Sequence, residues 1–128
     1  MPAKRIALSL YPPTRASSRP AQHPASQLAA GDKRWTRPGG RPFVFNDHVF
    51  YWTQDASGAY GNGMHLFRVL NLTRHVYAQQ RVHSLIPPDN RDGDGPLPRF
   101  ASHRHHHVDV QRVGPGEYFA LYDGDRRH

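Results

Sequence analysis

Two groups of residues in this 128-residue sequence have the types and spacing to do chemistry. The first is Gln54-Asp55, directly after the aromatic run Val49-Phe50-Tyr51-Trp52-Thr53. A carboxylate at a strand end can act as acid, base or hydroxyl-binding group. Glycosidase chemistry needs a second carboxylate roughly 5–10 Å away. Asp109 is the best-placed partner, ahead of Asp47 and Glu117, so Asp55 and Asp109 form the candidate acid/base pair. Asp55 has an equal claim as a turn residue whose side chain opens the next loop. The second group is His103, His105, His106 and His107, then Val108-Asp109. On a strand, His105, His107 and Asp109 share one face, and His106, Val108 and Val110 share the other. A His-x-His pair holds a divalent metal only with a third ligand, which the sequence does not name. The expectation is therefore no metal and no cofactor. Two readings stay open for these histidines: a polar substrate-binding face, and ordinary hydrogen-bonded strand histidines.

Between them in interest stands Arg37-Pro38-Gly39-Gly40-Arg41-Pro42. Paired glycines allow close backbone approach, and a guanidinium grips a carboxylate or phosphate with two parallel bonds. A phosphate loop needs a helix directly after it and either a third glycine or a Gly-Lys-Ser/Thr sequence. The residues after Pro42 have the pattern of a hairpin, so Gly39-Gly40 reads best as a turn leading into it.

The elements that must position these groups are strands. Phe43-Val44-Phe45 and Val49–Thr53 are β-branched and aromatic, and Asn46-Asp47 between them tolerates positive φ in a tight turn. Asp55–Gly63 reads as a loop. Met64–Leu70 alternates as a strand, and Val76–Ile86 is a fourth strand after a turn at Leu72-Thr73; a helix over Leu72–Leu85 lacks a clean 3.6-residue period. Pro87–Pro98 is a long polar loop whose Asp89, Asp92 and Asp94 lack the terminal Glu of a calcium loop. His106–Val113 and Glu117–Tyr122 flank a Gly114-Pro115-Gly116 turn as a last hairpin. Upstream, Ile6–Leu10 is a short strand, and Thr14–Lys33 has no sustained apolar period. The expected organisation is an N-terminal strand and irregular linker over 1–34 and a β domain over 35–128. Four antiparallel strands in about 45 residues, then the start of another group, is the rhythm of propeller blades.

Composition agrees with a turn-rich β protein: 37% hydrophobic residues, 11 glycines and 12 prolines. The net charge of +7 is spread over scattered arginines with no long basic run, so nucleic acid is not an expected partner. There is no cysteine, hence no disulfide or thiolate site. No stretch reaches the roughly 20 apolar residues of a membrane span, and the apolar run after Lys4-Arg5 is too short for a signal peptide. A cytoplasmic location is the corresponding expectation.

Taken together, "RPGGRPFVFNDHVFYWTQDASGAYG", "MHLFRVLNLT", "HHVD" and "EYFALYDG" resemble, in order and spacing, a known family. It is the N-terminal five-bladed propeller domain of plant glucosamine inositolphosphorylceramide transferases and similar bacterial proteins. The resemblance covers about Trp35 to Gly124. It implies an all-β fold of antiparallel, blade-like sheets related to the propellers of furanose-acting glycosidases. It also implies that Arg37, Gln54, Asp55, His106, His107 and Asp109 line the channel end, with Arg37, Gln54, His106 and His107 as substrate-binding residues. A complete five-bladed ring needs far more than 128 residues, so about two blades fit, and no glycosyltransferase domain is present. The expected function is a carbohydrate- or glycoconjugate-facing propeller segment without catalysis of its own. The remaining blades would come from another chain or reading frame. The alternatives are a glycoside hydrolase using Asp55 and Asp109, or a basic module for anionic partners.

Overall fold

A computed structural model describes residues 32–86 and 103–125. The strand expected at Ile6–Leu10, most of the linker and the Pro87–Pro98 loop lie outside the described residues. Seven strands are formed and, among the described residues, no helix: β1 (Arg37–Pro38), β2 (Phe43–Phe45), β3 (His48–Asp55), β4 (Gly63–Leu72), β5 (Tyr77–Leu85), β6 (Val108–Gly114) and β7 (Glu117–Tyr122). All pairings are antiparallel. The larger sheet runs β1-β3-β4-β5, with β2 also pairing β3, and β6-β7 form a second, two-stranded sheet. The helix weighed for Leu72–Leu85 is replaced by the strand β5. The described strands do not close into a barrel or a propeller ring.

β1 and β2 lie on the same edge of β3, one against Thr53-Gln54 and the other against His48–Phe50. They are one edge strand, broken over residues 39–42. The break has a local cause. Pro38 and Pro42 supply no N–H to a ladder, which confines such a segment to a sheet edge. The break is also where the two sheets meet: the amide of Gly39 donates to the Trp52 carbonyl at 2.9 Å, and the amide of Val108 donates to the Gly39 carbonyl at 2.7 Å. A Cβ on Gly40, whose φ is +153°, would stand 1.8 Å from the Val108 carbonyl oxygen; one on Gly39 would stand 2.2 Å from Met64 Cε. The paired glycines thus serve close packing between sheets at a break in an edge strand, where the sequence suggests a turn.

The β2–β3 hairpin turns at Asn46 and Asp47, whose φ values of 47° and 60° are those of the two central residues of a type I′ turn. That turn fixes the register, which puts Phe43, Phe50, Trp52 and Gln54 on one face of β3 and Tyr51, Thr53 and Asp55 on the other. The first face packs against β6. Its buried core is Trp52, Met64 and Val108, flanked by Phe43, Leu66, Leu85 and Val110. Met64 is fully enclosed, and burial of such a side chain is worth about 2 kcal/mol.

The opposite face is covered by aromatic rings. Tyr51 stacks on Phe67 at 5.8 Å, and Trp35 meets Phe67 and His65 edge-on at 6.1 and 6.2 Å. Trp35 is placed by a turn in which its amide and that of Thr36 donate to the Asp32 carbonyl, while Ala56 donates to Lys33. The Arg34 guanidinium lies 4.0 Å over the indole and is held by Asp32 through two bonds of 3.0 and 2.8 Å. On the second sheet, Phe119 and Leu121 share the side turned away from the core and stay 58% and 62% exposed, and Val113, at a bulge in β6, is 65% exposed.

Candidate binding surface

The last hairpin departs from the sequence expectation in one respect that matters. β6 starts at Val108, so His105, His106 and His107 precede the strand and do not alternate along it. Their positions are set instead by Asp123, just after β7. Its Oδ1 accepts the amides of His106 and His107 at 3.1 and 2.8 Å, and its Oδ2 lies 2.5 Å from His106 Nδ1. Its carbonyl accepts from His105 Nδ1 at 2.7 Å. These bonds satisfy backbone groups that a ladder would otherwise have paired. His105 is consequently fully buried, His106 half-buried and His107 exposed. Burial holds the His105 imidazole below its ordinary value, although the Asp123 carbonyl and carboxylate act the other way.

The loop after β3 brings an aromatic ring to this histidine segment. Asp55 Oδ1 accepts from Ser57 N at 2.9 Å and Ser57 Oγ at 2.6 Å, the side-chain turn anticipated for that position. Gly61, at φ 77°, passes close to Arg104 Cβ, and its carbonyl accepts the His105 amide at 3.0 Å. Tyr60 is thereby set 4.9 Å from the His106 ring and 5.1 Å beneath the Arg37 guanidinium. Arg37 is the register partner of Gln54. Gln54 Nε2 donates to the Pro38 carbonyl at 2.8 Å, while its Oε1 is enclosed with no hydrogen-bond partner among the described residues. Arg37, Gln54 and His106 are therefore assembled at one end of the molecule, through Tyr60.

The two carboxylates are placed elsewhere. Asp55 is adjacent to Gln54 and so points to the opposite face of the sheet. It is 6% exposed, and its Oδ2 accepts from His65 Nε2 at 2.8 Å. The other ring nitrogen of His65 meets Ser84 Oγ at 2.8 Å. Burial alone raises the Asp55 carboxyl, but the Ser57 and His65 hydrogen bonds outweigh it and hold the group below the usual aspartate value. A glycosidic general acid needs the reverse shift. Asp109 lies on β6 and is gripped by Arg41, Nε to Oδ1 at 2.8 Å and Nη2 to Oδ2 at 2.7 Å. That ion pair keeps it ionised below the ordinary aspartate range. Each carboxylate is thus engaged by its own basic partner.

Tyr60 and Asp123, which complete this picture, are signalled in the sequence only by standing directly before Gly61 and Gly124 in loops. The two-bond grip on a carboxylate that the guanidiniums of the Arg37–Pro42 segment allow is made by Arg41, on Asp109, a partner 68 residues away that the sequence does not name. Among the described residues, no group of three His, Cys, Asp or Glu side chains is placed to hold a metal ion. No helix among them is long and apolar enough to cross a membrane.

Antiparallel sheets joined at a glycine seam, with an arginine, a tyrosine and a histidine in contact beside one another, define an all-β domain. The chain belongs to the family described as glucosamine inositolphosphorylceramide transferase 1, N-terminal, which matches residues 4–125. Similar curated proteins are the glucosamine inositolphosphorylceramide transferase 1 proteins of Oryza sativa subspecies indica and japonica. Each is 30% identical over 107 residues, covering 83% of this chain but 14% of the relative. The protein of that name from Arabidopsis thaliana is 27% identical over 90 residues, 70% of this chain and 11% of its own length. The chain thus spans a small fraction of the relatives it matches. No solved structure gives a significant match.

Proposed function

We propose that this chain is a segment of a β-propeller that presents one end to a glycan or glycoconjugate and has no catalytic activity of its own. The observation that carries this reading is the Arg37–Tyr60–His106 assembly. A flat aromatic ring flanked by a guanidinium and an imidazole matches a sugar, which offers an apolar ring face and a rim of hydroxyls. Support for the propeller comes from strand order: a four-position antiparallel meander, β1/β2-β3-β4-β5, with the beginning of a second sheet laid on it at β6-β7. Further blades would be supplied by polypeptide outside this sequence. The names of the relatives point to the ligand class, since they join glucosamine to an inositolphosphorylceramide. The non-catalytic part of the reading rests on Asp55 and Asp109, whose oxygens are committed to His65 and Ser57 and to Arg41.

Isotope-labelled full chain titrated with methyl glucosaminide and myo-inositol tests the proposal. Shift changes confined to Arg37, Gln54, Tyr60 and His106, and abolished in Tyr60→Ala, are the expected result. Perturbation elsewhere, none at all, or turnover of aryl glycosides by the chain would overturn it.

A further inference from the structure

Three arginines fall within eight residues, and the structure treats them differently. Arg34 is neutralised by Asp32 and Arg41 by Asp109, each through a two-bond fork. Arg37 is half-buried over the Tyr60 ring and has no hydrogen-bond or ion-pair partner among the described residues. A guanidinium has five donors in a rigid plane suited to two parallel bonds with a carboxylate or phosphate. Leaving it partly desolvated and unpaired costs free energy that an arriving anion would recover. We infer that the Arg37 end takes a ring carrying an anionic substituent, with the ring on Tyr60 and the anion on the Arg37 fork.

This rests on the ring-binding reading above and adds the charge to it. One other group fits the same ligand. His106 uses Nδ1 on Asp123, and its Nε2, unengaged among the described residues, is left for a hydroxyl. The Asp123 carboxylate is satisfied by two amides and the His106 ring at 2.5–3.1 Å, and Asp55 lies on the other face of the sheet. A neutral sugar would use the ring and His106 but leave the guanidinium uncompensated.

The test compares myo-inositol, inositol 1-phosphate, inorganic phosphate, and phosphatidylinositol in neutral-lipid vesicles, each titrated against the labelled full chain. Inositol 1-phosphate is expected to bind at least roughly tenfold more tightly than either myo-inositol or inorganic phosphate. Arg37→Gln should erase that difference while keeping a dispersed folded spectrum and weak binding of the neutral ring. Arg37→Lys should restore only part of it, because an ammonium has no fork. Tighter binding to vesicles than to the free phosphate would support a lipid-borne source, and the reverse order a soluble one. Equal affinity for the neutral and phosphorylated rings overturns the inference and leaves ring binding standing. Equal affinity for inorganic phosphate and the ester overturns the ring component. Silence towards every ligand overturns both readings.

Discussion

The amide of Val108 donates to the carbonyl of Gly39 at 2.7 Å, and this bond joins β6 to the broken edge of the larger sheet. The seam has no room for a side chain at Gly40, where a Cβ would sit 1.8 Å from the Val108 carbonyl oxygen at a φ of +153°. Backbone cannot yield as a side chain does. Gly40→Ala is therefore expected to destabilise the fold by about 2–4 kcal/mol. Gly39→Ala meets the flexible end of Met64, and its cost should be nearer about 1 kcal/mol. Urea denaturation of the two variants checks the order, and a Gly39→Ala cost equal to or above that of Gly40→Ala contradicts the seam as drawn.

The chain Ser84–His65–Asp55–Ser57 pins β5, β4, β3 and the loop after β3 together. Truncation in Asp55→Ala strands the His65 and Ser57 donors, with an expected loss of about 2–4 kcal/mol. The aspartate is held below its ordinary value in the folded state. Its contribution is thus fully present above pH about 4 and is lost as pH falls through the lower folded-state value. Wild type should lose stability on acidification below that point, and Asp55→Ala should lose less over the same interval.

His105 gives a second, separate acid sensitivity. Its buried imidazole is harder to protonate folded than unfolded. Nothing is lost above pH about 6.5, where both states are neutral, and stability declines as pH drops below it. Thermal melts at about pH 7.5 and 5.5, on either side of that value, should therefore differ more for wild type than for His105→Gln. An unchanged pH difference in the variant would place the sensitivity elsewhere.

On the alkaline side the sensitive groups are Tyr51 and Tyr77, whose hydroxyls share Gln79 Oε1. Burial and their mutual contact raise the Tyr51 phenol far above its usual value, and burial raises Tyr77 even though the Tyr51 bond acts the other way. An unfolded chain ionises near pH about 10, so stability is lost as pH rises past that value. Tyr51→Phe keeps the stack on Phe67 and removes one of the two phenols. Its alkaline unfolding midpoint should move up, and an ultraviolet titration should show one late-ionising tyrosine fewer.

Much of the fold is legible because its signals are local. The aromatic and β-branched runs around Asn46-Asp47 announce the β2–β3 hairpin, and both turn residues do take positive φ. The alternation of Met64–Leu70 and the Gly114-Pro115-Gly116 turn are equally local. The surface is less legible. Placing Gln54 and Asp55 on one rim overlooks the two-residue period of a strand, which sends neighbours to opposite faces. Asp123 is hard to find because its partners, the His106 and His107 amides, lie 17 and 16 residues away across the β6–β7 hairpin. Arg41 and Asp109 meet across 68 residues, a separation at which charge pattern alone carries no pairing information.

The outward side of the β6–β7 hairpin, with Phe119 and Leu121 in the open, has a practical consequence for handling the molecule. An oily patch beside a strand edge that is unpaired among the described residues makes concentration, rather than temperature, the condition that governs whether a solution stays clear. Light scattering should rise steeply with protein load, and Phe119→Lys should flatten that rise without touching the Arg37 end.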